Sequence, residues 1–160
     1  RRQRQMCIRD RTEPVSGAAV LLLREADGRR HLALWIADPE KTAIADAINE
    51  TEPVRPLTHD LLARAIAVLC EEEPQCIITK VEDGIWFGEL VLGDMRIDAR
   101  PSDLVALALR LPVPIWCTEE VISTAGILLD AGPEDALEEF RHFLDDVSPD
   151  DFGPGPSTSG

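Results

Sequence analysis

The 160-residue chain lacks a basic footprint: 16 Lys and Arg stand against 30 Asp and Glu, for a net charge of −14. Proteins that grip nucleic acid by surface charge use Lys and Arg to displace counterions from phosphate. Any action on a polyanion must here rely on a local cationic site or a bound metal, against an unfavourable mean field. The only positive excess, +4, lies in residues 1–11, while residues 130–152 carry −8 and residues 12–129 carry −10. A CxxC pair is also missing. Cys7, Cys70, Cys76 and Cys117 show no usual zinc spacing, which leaves reduced, mostly buried thiols of a cytoplasmic protein as the expectation. The apolar run from Ala18 to Leu23 falls far short of the ~20 residues of a membrane-spanning helix, and no charged start leads into an apolar stretch as in a secretory signal. HExxH, P-loop, GxSxG and GxGxxG are all absent, so no motif points to the zinc-peptidase, nucleotide-cradling, serine-esterase or dinucleotide-binding chemistries.

What is present is an ordinary supply of core residues. A hydrophobic content of 44% with 29% charged residues suits one soluble domain with a true core. "RRQRQMCIRDR" (1–11) does not match the rest in composition. It resembles a translated sequencing-adapter peptide, so it is set aside as non-native, and a native first strand is expected to be missing or replaced there. From Ala18 the pattern is regular. "AAVLLLRE" and "RRHLALWI" flank an Asp-Gly turn and read as a β-hairpin. Asp38 and Pro39 suit a helix start, and Thr58 suits another running to about Cys70, with Leu61, Leu62, Ala65, Ile66 and Leu69 as its buried stripe. Residues 76–82, 85–92 and 95–99, joined by Asp-Gly and Gly-Asp, read as an antiparallel meander. Ser102 caps a buried helix, 114–117 is a strand, and Thr118 caps a helix that Gly126 ends. An acidic helix is expected within 130–152 and a disordered tail over 153–160. The fold class is α+β: a mixed, largely antiparallel sheet with several packed helices, over a domain of residues 12–129.

Two stretches carry the candidate chemistry. "RPLTHDLL" (55–62) and "DARPSDLVALAL" (98–109) each place Arg-Pro, a hydroxyl and an acid ahead of an apolar run. Capping explains the hydroxyls, and the helix dipole explains Asp60, Asp103, Glu119 and Glu120 without any function. Capping does not explain Arg55 and Arg100, because a cation beside a helix N-terminus forms a phosphate or carboxylate site; pairing with a neighbouring acid is the other reading. His59 is the only histidine flanked by reactive groups, whereas His31 and His142 are expected at the surface. Asp98 and Asp103, at a strand end feeding a helix start, are the pair that could hold Mg²⁺ or Mn²⁺.

In this order, "LALWIADPEKTAIADAI", "RPLTHDLL", "DGIWFGEL", "DARPSDLVALAL" and "PIWCTEEV" resemble the bifunctional nuclease domain family over roughly residues 14–126. The acidic C-terminal stretch is similar to that of actinobacterial members. The resemblance implies hydrolysis of RNA and DNA. It also places the family's segments on Glu40, on Arg55 to Asp60 and on Asp98 to Asp103. Ala37, Lys41 and Leu104-Val105 depart from the family pattern. The combined expectation is a cytoplasmic homodimeric nuclease without membrane attachment. Asp98 and Asp103 hold a metal, with Asp60 a third candidate. Arg55 and Arg100 bind phosphate, and His59 and Asp60 are the catalytic candidates. The alternative is a regulatory module that binds a small anion through Arg55 and Arg100 and does no chemistry.

Overall fold

The computed structural model describes residues 2–12 and 19–128. In chain order the elements are β1 (Gln3–Thr12), β2 (Ala19–Glu25), β3 (Arg30–Ile36), α1 (Asp38–Ile48), α2 (Thr58–Leu69), β4 (Gln75–Glu82), β5 (Ile85–Leu92), β6 (Met95–Ala99), α3 (Pro101–Arg110), β7 (Ile115–Thr118), α4 (Glu119–Ala125) and β8 (Ile127–Leu128). The strands make one sheet in the order β6-β5-β4-β7-β1-β2-β3-β8. Only the β4–β7 pairing is parallel, so the expected α+β class with a mixed, largely antiparallel sheet holds. The acidic helix and tail expected after residue 129 lie outside the described residues.

The turns follow their chemistry. Asp83 and Gly84 both take positive φ (51° and 76°) between Glu82 and Ile85. That is the two-residue hairpin turn that Asp-Gly favours. Alternation along the strands puts Leu21, Leu23, Leu32, Ile78 and Leu90 on one face, where Ile44, Ile66, Leu104, Leu107, Val121 and Ile122 of the four helices cover them. Gly88 lets α3 lie close to the sheet, since a Cβ there would sit 2.5 Å from Leu104 Cδ1 and 3.1 Å from two strand carbonyl oxygens. Val20 and Leu22 form a smaller cluster on the opposite face with Ala33, Trp35 and Ile127.

Several expectations are corrected. The opening segment, set aside from the fold on its composition, forms β1, between β7 and β2 in the sheet interior. Met6 is buried in the main core. Arg4, opposite Cys117, shares that face and ends in a charge network rather than in solvent. Its Nε donates to Glu119 Oε2 at 2.7 Å and its Nη1 lies 3.6 Å from the buried Glu25, which Arg30 approaches from β3 at 3.5 Å. Pairing with Arg4 first, and with Arg30, holds the Glu119 carboxyl below its ordinary range. His31 is buried, not at the surface, and its Nδ1 donates to the Arg29 carbonyl at 3.1 Å. Asp38, Thr58 and Ser102 are not the caps: Ala37, Leu57 and Arg100 hold those positions, one residue before the expected ones at α1 and α2 and two before at α3. Thr118 does cap α4, accepting from Val121 N. Helix α2 buries Ala63 and Ile66 but leaves Leu61, Leu62, Val68 and Leu69 exposed, so most of its expected core stripe faces outward.

Candidate functional site

Three helix starts meet beside the β6–α3 junction. Glu40 lies in the first turn of α1, His59 in that of α2 and Asp103 in that of α3, and Arg100 is the α3 N-cap. Pro39 and Pro101 occupy opening helical positions, where a missing amide hydrogen costs nothing. The side chains then bond to one another. His59 Nε2 and Asp103 Oδ1 are 3.0 Å apart. Arg100 donates from Nε to Asp103 Oδ2 at 2.7 Å and from Nη2 to Asp103 Oδ1 at 3.1 Å. The same Nη2 reaches the buried carboxylate of Glu40 at 2.5 Å. Arg100 keeps 64% of its side chain exposed, and its Nη1 makes no recorded bond among the described residues.

Partial burial pushes the Asp103 carboxyl up, but hydrogen bonds and charge from Arg100 and His59 outweigh it, so the group stays below its ordinary range. Asp103 is therefore an anion at neutral pH. An anionic acceptor on Nε2 selects the imidazole tautomer with its proton there, leaving Nδ1 as the base. Three helix N-termini also bring their positive dipole ends to this spot. The cluster thus combines an oriented imidazole with a guanidinium and amide-rich helix starts, which suits an anionic substrate that loses or gains a proton.

The other expected site residues are placed differently. Asp98 pairs with Glu89 across β5–β6, and alternation sets it on the sheet face away from α3, with Arg96 and Glu89. It is exposed and does not join the His59 cluster. Arg55 is exposed in the loop before α2 and makes no ion pair among the described residues. Asp60 turns from His59 toward the α3 C-terminus. Its Oδ1 accepts from Arg110 Nε at 2.6 Å and its Oδ2 from Leu57 N at 2.8 Å. The Arg110 hydrogen bond first, then the Leu57 amide, holds Asp60 below its ordinary range. Both oxygens are committed, so Asp60 acts as a cap and tether. A cleft of about 580 Å³ opens on this Asp60–Arg110 side, between α1 and α2, and not at His59.

The donor set does not fit a resident divalent cation. Asp98 and Asp103 are on different sides of the sheet, and the guanidinium of Arg100 already bridges Glu40 and Asp103, where a metal would sit. Among the described residues no group of three or more His, Cys, Asp or Glu is arranged to hold a metal. Nor is any helix among them long and apolar enough to cross a membrane.

A family model described as the bifunctional nuclease domain matches residues 21–130, which include every residue of the cluster. The chain belongs to the bifunctional nuclease domain family. Relatives of this nuclease-domain chain include an uncharacterized protein of Mycobacterium tuberculosis strain CDC 1551 / Oshkosh and one of strain H37Rv. Each is 43% identical over 152 residues, covering 89% of this chain and 93% of the relative. The reading from sequence missed Arg110 of this nuclease domain altogether. A lone arginine ending an apolar helix reads as a charge matched to the helix dipole. Here it also binds the carbonyls of Ala43 and Ala106 and ties three helices together.

Proposed function

We propose that the chain hydrolyses phosphodiester bonds of RNA and DNA, with His59 as general base. The observation that carries this reading is the His59–Asp103 hydrogen bond at the meeting of three helix N-termini. Asp103 holds the Nε2 proton in place, so Nδ1 accepts a proton from water. The water oxygen bonds to phosphorus as the ester P–O bond breaks, and the released oxygen takes a proton from solvent. Arg100 through Nη1, Arg55 from the preceding loop and the first-turn amides stabilise charge on the phosphoryl oxygens. Asp60 and Arg110 position α2 against α3 and take no part in proton transfer. No step runs through a metal. The expected homodimer belongs to the same reading.

The test is cleavage of single-stranded RNA and DNA by the wild type and Asp103→Asn, purified in parallel. Asparagine keeps the shape but removes the anion that fixes the imidazole, so turnover should fall by ~10²–10⁴. Equal cleavage by both proteins would mean a contaminant. Wild-type cleavage that survives EDTA supports the metal-free step, whereas dependence on Mg²⁺ or Mn²⁺ would overturn it.

A second reading rests on the net charge of −14 and on the open guanidiniums of Arg55 and Arg100: a regulatory module that binds a small anion without chemistry. It requires that phosphate-bearing ligands raise Tm in the wild type and not in Arg100→Ala.

A further inference from the structure

The sheet has a second buried patch on the face that α1–α4 leave open. Strand alternation sends Leu21 and Leu23 into the main core beneath those helices and turns Val20 and Leu22 the other way. Yet Val20 is 0%, Leu22 3% and His31, on the same face of β3, 6% exposed. Their apolar neighbours there are Trp35, opposite Val20, Ala33, opposite Leu22, and Ile127, opposite His31. These lie beside the buried side chains within the sheet. A strand neighbour shields the flank of a side chain that stands upright on a sheet, not its end. Among the described residues no helix lies over this face, so another layer of chain must cover it.

The sequence beyond β8 fits that role. Ala136, Leu137, Phe140, Phe143, Leu144 and Val147 fall within ~120° of arc at 100° per residue, and every acid from 134 to 146 falls outside it. A helix so divided needs an apolar surface to rest on, and Pro133 suits its first position. The path is short. The chain leaves β8 beside His31, at the edge of the patch. Residues 129–132 can span ~14 Å, and a helix over 133–147 is ~22 Å long, enough to cross β3 and β2 at ~5 Å spacing. Charge agrees, because Arg24, opposite His31, stands at the patch margin within the range of acids that flank the stripe. The other undescribed connection, 13–18, offers little apolar cover beyond Val15 and Ala18.

We propose that residues 133–147 form an amphipathic helix that docks within the same chain on the outer face of β2 and β3, setting Leu137, Phe140 and Leu144 on Val20, Leu22 and Trp35. Its acids then face solvent on the side of the sheet away from the His59 cluster. Residues 130–152, which carry −8 of the net charge, are thereby kept clear of a site read as binding phosphate. The docking itself does not depend on that reading.

Disulfide trapping in the full chain tests it. In a Cys7→Ser, Cys70→Ser background, Ala33→Cys is combined in turn with Ala136→Cys, Phe140→Cys and, on the polar side of the helix, Glu138→Cys. Mild oxidation should close a bond within one chain in at least one of the first two variants and not in the third, as read by migration on a denaturing, non-reducing gel. Bonds formed only between chains would overturn the proposal and assign the cover to a second copy's segment. No bond in either stripe variant, or an equal yield through residue 138, would also overturn it. A second measurement leaves the cysteines alone. Leu137→Glu with Phe140→Glu should lower Tm by several degrees, while Glu138→Gln with Glu139→Gln should not. An unchanged Tm in the first variant would contradict the docking.

Discussion

Replacing Asp60 should damage the fold more than the chemistry. In Asp60→Ala the nearby Arg110, with 11% of its side chain exposed, loses its carboxylate partner, and the Leu57 amide loses its acceptor. Removing one partner of a buried pair costs ~3–5 kcal/mol, and losing a helix cap costs ~1 kcal/mol. Because 18% of the Asp60 side chain remains open to water, the pair falls at the low end of its range, and the total is about 3–4 kcal/mol. For a chain of this length that lowers Tm by roughly 10 °C. Asp60→Asn keeps an acceptor for Leu57 and should lose ~1 kcal/mol less.

The pH dependence of this effect has a definite sign. Asp60 has a depressed folded-state pKa, so its contribution is present above the unfolded value and fades as pH falls through the folded one. The gap between wild type and Asp60→Asn should therefore be largest near neutrality and narrow below about pH 4. Urea unfolding across pH measures it, alongside cleavage at a temperature where every variant is folded. An Asp60→Ala protein within about 1 °C of wild type would refute the tether role. Lost cleavage with unchanged stability would return Asp60 to the catalytic candidates.

Two further outcomes follow from the sheet and its thiols. Deleting residues 1–11 should yield insoluble or unfolded protein, because it strips both ladders of β1 and exposes two sheet edges; a deletion variant with wild-type Tm would show that β1 is dispensable. Burial pushes the Cys76 and Cys117 thiols up to about 12, whereas Cys7 is exposed. A thiol reagent at pH 8 should therefore label Cys7 readily and reach Cys76 and Cys117 only after denaturation, as read by mass spectrometry.

The parts of the fold legible in sequence are those fixed by local chemistry. Asp83-Gly84 allows little but a tight hairpin, Thr118 has the spacing of a cap, and residues 104–108 are apolar on nearly every side. Strand β1 was not legible, because its inward positions include Arg4, which is accommodated by Glu25 of the next strand and by Glu119, 115 residues away. Helix α2 misled for another reason. Its apolar residues lie on both sides, and periodicity cannot tell a buried apolar face from an exposed one. At the site, the residue types in the two Arg-Pro segments were legible, and His59, Arg100 and Asp103 do meet. Their pairing was not, since His59 and Asp103 are 44 residues apart and Asp60 and Arg110 are 50 apart. Asp98 looked like a partner of Asp103 because it is close in sequence, but strand alternation turns it to the other face of the sheet.

Chemical rescue probes whether His59 takes the proton from the attacking water. Cleavage of single-stranded RNA should be measured for wild type and His59→Ala, purified in parallel, with and without added imidazole. His59→Ala should lose a factor of ~10²–10⁴ in rate, and imidazole should restore part of it in a concentration-dependent way, with no effect on wild type. Wild-type cleavage by His59→Ala, or a loss that imidazole does not repair while the protein stays folded, would contradict it.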